Sequence, residues 1–179
     1  MFGRKPMVVL LALAATFAAR GVLAQDAAKQ EQSAGGCAGF SWPVTRERAW
    51  FDDARLPRRA TGARLKRIDR AVALDLKPTR EVQLFLPPVR RPRTDSFSGE
   101  VTFFGVPRPG RYQVTLSDDA SIDVFENGAW LQAIDSTSGK TCGGVSKSER
   151  FVLAPGDLVL VEVTDAPARS IKIAFSASP

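Results

Sequence analysis

The chain has 179 residues, 25 of them Lys or Arg against 19 Asp or Glu, and a formal net charge of +6. It contains no histidine, which removes Ser-His-Asp and Cys-His nucleophile arrangements, histidine-based zinc sites and the two-His-one-carboxylate iron site. Neither a metal nor another cofactor is expected.

The first 24 residues read as an export leader. Arg4 and Lys5 precede an apolar run from Met7 to Ala19, and Val22-Leu23-Ala24 offers the small residues that signal peptidase cuts after. Thirteen apolar residues reach only roughly 20 Å as a helix, short of a hydrocarbon core of about 30 Å, so a cleaved signal is expected rather than an anchor. No later segment is apolar enough to span. A lipidated Cys37 is rejected, because a polar stretch from Gln25 to Ser33 separates it from the apolar run. The setting predicted is periplasmic or secreted.

Leader removal leaves 155 residues and lowers the net charge to +3, enough chain for one domain with one core. Residues 44–93 hold fourteen basic and six acidic side chains, whereas residues 94–179 hold seven and eleven. The charge is therefore two-sided. Four parts are expected: a signal peptide over 1–24, a flexible lead-in over 25–40, a basic N-terminal segment over 41–94 packing on the sandwich, and a β-sandwich core over 95–179. Cys37 and Cys142 are the two cysteines. In an oxidising compartment, without CxxC spacing, they read as one structural disulfide.

Ser41-Trp42-Pro43 turns into a short helix predicted over 45–53, with Thr45 as its N-cap and Trp50-Phe51 facing inwards. A basic loop follows. Period-two patterning then predicts strands at Val72-Leu74-Leu76, at Val82-Leu84-Leu86, over 97–104, at Tyr112-Val114-Leu116 and at Ile122-Val124. Asn127-Gly128 signals a hairpin into a strand over 129–134. Residues 135–147 read as a polar loop. Phe151-Leu153, a doubly apolar central strand over 158–163, and Ile171-Ile173-Phe175 complete the pattern. The fold class predicted is all-β, an antiparallel sandwich or jelly roll of seven to nine strands with a short N-terminal helix.

Candidate chemistry is sparse. Asp118, Asp119, Asp123 and Glu126 cluster around one strand and suit a carboxylate hydrolase or a calcium site, though without DxDxDG spacing they read as turn and surface acids. Lys147-Ser148 resembles a Ser–Lys pair, but neighbours on a strand point to opposite faces. Trp42, Trp50 and Trp130 read as core plugs rather than a sugar platform. The candidate anion-binding residues are Arg58, Arg59, Arg64, Lys66 and Arg67, within a basic segment that also includes Arg55 and Arg70. This segment lacks interleaved aromatics, so nucleic acid is disfavoured. Anionic envelope components or another exported protein are the partners it would suit.

Two resemblances follow from particular residues. The run from Gly110 to Leu116, with Ile122-Asp123-Val124 and Ala154-Pro155-Gly156-Asp157, is similar to bacterial pre-peptidase C-terminal β-sandwich domains over about the last eighty residues. That resemblance implies a non-catalytic accessory module of a secreted protein. Cys37-Ala38-Gly39-Phe40-Ser41-Trp42-Pro43, the residues from Tyr112 to Val124, and Lys147-Ser148-Glu149-Arg150-Phe151 resemble short exported bacterial β-sandwich proteins that often carry the automatic name homogentisate 1,2-dioxygenase. That name implies histidine and glutamate iron ligands, none of which maps onto this histidine-free chain. The function expected is an exported, non-catalytic binding or envelope-associated module. The alternative is an enzyme, either such a dioxygenase or a carboxylate-based hydrolase.

Overall fold

Alternation of apolar and polar residues builds two stacked sheets, and a computed structural model describes them over residues 37–66, 69–156 and 158–178. The leader, the lead-in up to residue 36, Arg67 and Asp157 lie outside the described residues. The first sheet runs in the order β1 (Arg58–Ala60), β3 (Arg70–Asp75), β12 (Ser170–Ala177), β6 (Gly110–Leu116), β10 (Val145–Leu153) and β9 (Asp135–Cys142). The second runs β2 (Ala63–Leu65), β5 (Phe97–Phe104), β11 (Leu158–Ala166), β7 (Ser121–Glu126) and β8 (Ala129–Leu131), with β4 (Lys77–Pro78) also paired to β5. This is the all-β sandwich expected. Its strand count, twelve among the described residues, exceeds the expected seven to nine chiefly because β1, β2 and β4, none of them expected, are two or three residues long. Such strands are too brief to show a period.

Between the sheets, Val72, Leu74, Val101, Phe103, Val114, Leu116, Val161, Ile171, Ile173 and Phe175 form part of one buried cluster. The Phe103 and Phe175 rings meet at 4.6 Å across the two layers. As its doubly apolar sequence predicts, β11 is central, hydrogen-bonded to β5 on one side and β7 on the other. The sheets are mixed rather than purely antiparallel. β1 pairs in parallel with β3, and β2 in parallel with β5, the chain passing from the first sheet to the second at Thr61-Gly62.

At that crossing the Gly62 amide donates to the Glu100 carbonyl, and Glu100 N–H donates to Thr61 Oγ1. Gly99 sits against the same corner. A Cβ there would lie 2.8 Å from both Leu76 Cδ2 and Thr61 Oγ1. Gly99→Ala is therefore expected to cost about 2 kcal/mol by overpacking, read as a fall of several degrees in the melting temperature. An unchanged midpoint would mean that the corner yields without strain.

A second apolar cluster lies on the outer face of the first sheet. Cys37, Phe40, Trp42, Val44 and Phe51 cover Ala71, Val145 and Ala174 there. The helix α1 (Thr45–Phe51) begins one residue earlier than a Thr45 cap requires. Val44 is the N-cap, without a side-chain hydrogen bond, and Thr45 is the first helical residue. Phe51 is buried as expected, while Trp50 is only partly so. The Cys37–Cys142 disulfide is formed, with a Cα–Cα distance of 4.5 Å, and ties this cap to β9.

Two element predictions are corrected. Residues 82–86 form no strand. Their alternation is real, since Val82, Leu84 and Leu86 are half-buried and Gln83 and Phe85 exposed, but the segment crosses the outer face of the second sheet instead of joining its edge. Pro87-Pro88, which lack amide donors, prevent a ladder. The predicted polar loop over 135–147 is instead β9 and the start of β10, joined by Gly143-Gly144 at positive φ of 52° and 81°.

Candidate functional site

Side chains alternate along a strand, so the outward residues of the second sheet follow from its register. Glu100 on β5 is directly opposite Glu162 on β11, and Glu162 is directly opposite Asp123 on β7. Three carboxylates thus share one row across three strands. Strand spacing of about 4.8 Å spreads them over roughly 10 Å. They do not converge on a point, and among the described residues no group of three acidic, Cys or His side chains is arranged to hold a metal ion.

The segment over 79–94 lies across this row as a strap. The Phe85 amide donates to Glu100 Oε2 at 2.8 Å. Burial raises the Asp123 carboxyl above its usual range, against the opposing pull of the Val89 amide and the Arg90 guanidinium. Glu162 is 0 % exposed, and neither carboxylate oxygen has a hydrogen-bond partner. Loss of water and then the neighbouring Glu100 charge push its pKa up to about 7. The Leu86 amide favours the ionised form without completing a hydrogen bond.

Beside the row is an open groove of about 320 Å³. Its lining includes Leu158, Leu160, Phe85, Phe125, Glu100 and Arg64. Phe125 is held by Trp130 of β8, whose ring meets it edge-on at 5.4 Å. The Asn127-Gly128 hairpin that positions this pair has φ of 50° and 85°, as its sequence predicts. Phe85 is 77 % exposed and Leu158 40 % exposed. Large apolar side chains are therefore presented to solvent next to a half-buried carboxylate.

The basic candidates divide between two edge strands. Arg58 and Arg59 are on β1, where Arg58 pairs with Asp75 and Arg59 donates to the Arg58 carbonyl. Arg64 on β2 lines the groove, Lys66 is exposed just beyond it, and Arg67 lies outside the described residues.

The acidic cluster is also divided. Asp123 belongs to the covered row, while Glu126 points to the opposite face and accepts the Ala154 amide. Asp118 accepts the Ser117 hydroxyl. Asp119 lines a hollow with Arg90, Arg93 and Lys147, whose cations already contact Ser121, Asp165 and Glu149 respectively. Lys147 and Ser148 do point apart: the ammonium reaches the Ala120 carbonyl, and the Ser148 hydroxyl is buried against Thr115 and Trp42. Trp42 is a plug of the outer cluster, with the Arg150 guanidinium 4.0 Å from its ring centre.

Glu100 and Glu162 were not sequence candidates. The available signal was an acid at Glu162 inside the doubly apolar run of β11, a breach of pattern that marks a special position. No protein-family model and no curated protein matches this chain, so the chemistry of the site is read from its own residues.

Proposed function

We propose that the chain is an exported, non-catalytic β-sandwich binding module whose ligand surface is the groove on the outer face of the second sheet. The observation that carries this reading is the exposure of Phe85 and Leu158 along a concave, largely apolar groove. Concave apolar sites with a few polar groups are where small ligands bind. The hydrolase alternative would need two of Asp118, Asp119, Asp123 and Glu126 to converge on a substrate, and Glu126 is buried on the face opposite Asp123, where it accepts the Ala154 amide. The absence of histidine weighs against the dioxygenase alternative. Export is supported by the leader pattern and by the buried disulfide, which persists in oxidising compartments. Among the described residues no helix is long and apolar enough to cross a membrane. Similarity of the last strands to pre-peptidase C-terminal domains fits an accessory role.

Two measurements test the two halves of the proposal. Expressed with its leader in a bacterial host, the protein should be recovered from the periplasm or medium with a mass that begins at Gln25. Recovery of the full-length chain in the cytosol would refute export. The neutral probe 1-N-phenylnaphthylamine should brighten on adding wild-type protein. Phe85→Ala with Leu158→Ser, both at exposed positions, should abolish that signal while the thermal midpoint holds. Equal brightening by the variant would place the binding surface elsewhere.

A further inference from the structure

Resting on the groove as the ligand surface, we propose that its ligand is a small organic amine, with an apolar body over Leu158 and Leu160 and an ammonium head at Glu100. Three observations converge on this chemistry. The first is an uncompensated acidic pair. Glu100 and Glu162 occupy directly opposed positions on antiparallel strands, where like charges destabilise one another. Among the described residues, neither is in an ion pair with a Lys or Arg. Both Glu162 oxygens are buried without a partner. A cation arriving at Glu100 relieves this repulsion directly.

The second observation is the ring pair. Phe85 and Phe125 both line the groove that Glu100 lines. An aromatic face attracts an ammonium through its quadrupole, the more strongly the less water remains between them. Aromatic rings combined with a carboxylate therefore select a cation over a neutral head. The third is size. A groove of about 320 Å³ is at the small end of ligand sites, which fits a single ring or short chain.

Arg64 is the one described cation on the groove lining. It stands on β2 opposite Thr102, two pairs along from the Glu100 row. Its side chain is exposed and in no ion pair with Glu100. It therefore repels an incoming ammonium across solvent instead of neutralising the carboxylate. Removing it should strengthen amine binding, whereas it would weaken an anion.

The test uses three probes of one shape, 2-phenylethylamine, 2-phenylethanol and 3-phenylpropanoate, titrated into the mature protein and followed by calorimetry and Trp fluorescence. The amine is expected to bind at least tenfold more tightly than the alcohol, with the carboxylate weakest. Glu100→Gln keeps an acceptor for the Phe85 amide and should erase the amine's advantage without changing alcohol affinity. Arg64→Ala, at an exposed rim position, should tighten the amine two- to threefold and leave the alcohol unchanged. Equal binding of amine and alcohol, or preference for the carboxylate, would overturn the amine assignment while leaving the groove a ligand site. No binding of any of the three would overturn both.

Discussion

Replacing Cys37 and Cys142 together by alanine should lower the unfolding free energy by about 4 kcal/mol. The cysteines are 105 residues apart, and closing a loop of about 100 residues removes roughly 4–5 kcal/mol of unfolded-state entropy in the chain model. Both positions are buried, and alanine leaves no unpaired polar atom. The remaining effect is thus the lost link plus a small packing deficit beside Trp42 and Val44. In a chain of this size the midpoint should fall by about 10–15 °C.

The loss should be uneven. The sheets keep their own core, which does not include either cysteine. The cap over residues 37–53 is held otherwise by Phe40, Trp42, Val44 and Phe51 and by the Glu47 carboxylate, buried against Ser176. Amide exchange should accelerate first in that cap. Reduced wild-type protein should match the double variant. A midpoint within 2 °C of wild type would mean that the disulfide constrains neither state.

The sandwich was legible because its long strands pay for burial in a visible currency, an apolar side chain at every second position. β5, β6, β7 and β12 all carry that signature. β9 does not. Its DSTSGKTC sequence is polar because it is the edge of the first sheet, where one face and one ladder are open. The Gly143-Gly144 pair was the available clue, a two-residue turn of the primed type between strands.

The opposite error arose at Val82-Leu84-Leu86. An extended strap lying on a sheet face buries alternate side chains just as a strand does. Only its prolines distinguish the two. The site was less legible still. Glu100, Glu162 and Asp123 are 62 residues apart at the extremes, and no spacing rule links them. Register alone makes them neighbours. The charge run of the basic segment is conspicuous in one dimension, whereas a carboxylate row forms only when three strands align.

Glu162→Gln should flatten the pH dependence of stability, and its sign is fixed by the direction of the pKa shift. The ordinary carboxyl value is 4.5 and the folded value is about 7. Between these the folded protein holds a proton that the unfolded chain has released. Stability is therefore full below pH 4.5 and falls as pH rises towards 7, by roughly 3 kcal/mol at 1.36 kcal/mol per pKa unit. The groups facing the carboxyl are Glu100 from β5 and Asp123 from β7, with the Leu86 amide above. Arg90, Lys147 and Glu149 act one step away, on Asp123. Asp123 is itself shifted upwards by burial, so its contribution has the same sign. Glutamine carries no charge at any pH and its amide can donate to Glu100. At pH 8 the variant should exceed wild type by about 2–3 kcal/mol, and at pH 4 the two should coincide. Denaturant titrations from pH 4 to 8 read this directly. Parallel curves for the two proteins would show that Glu162 titrates alike in the folded and unfolded chains, and would remove the uncompensated pair on which amine selectivity depends.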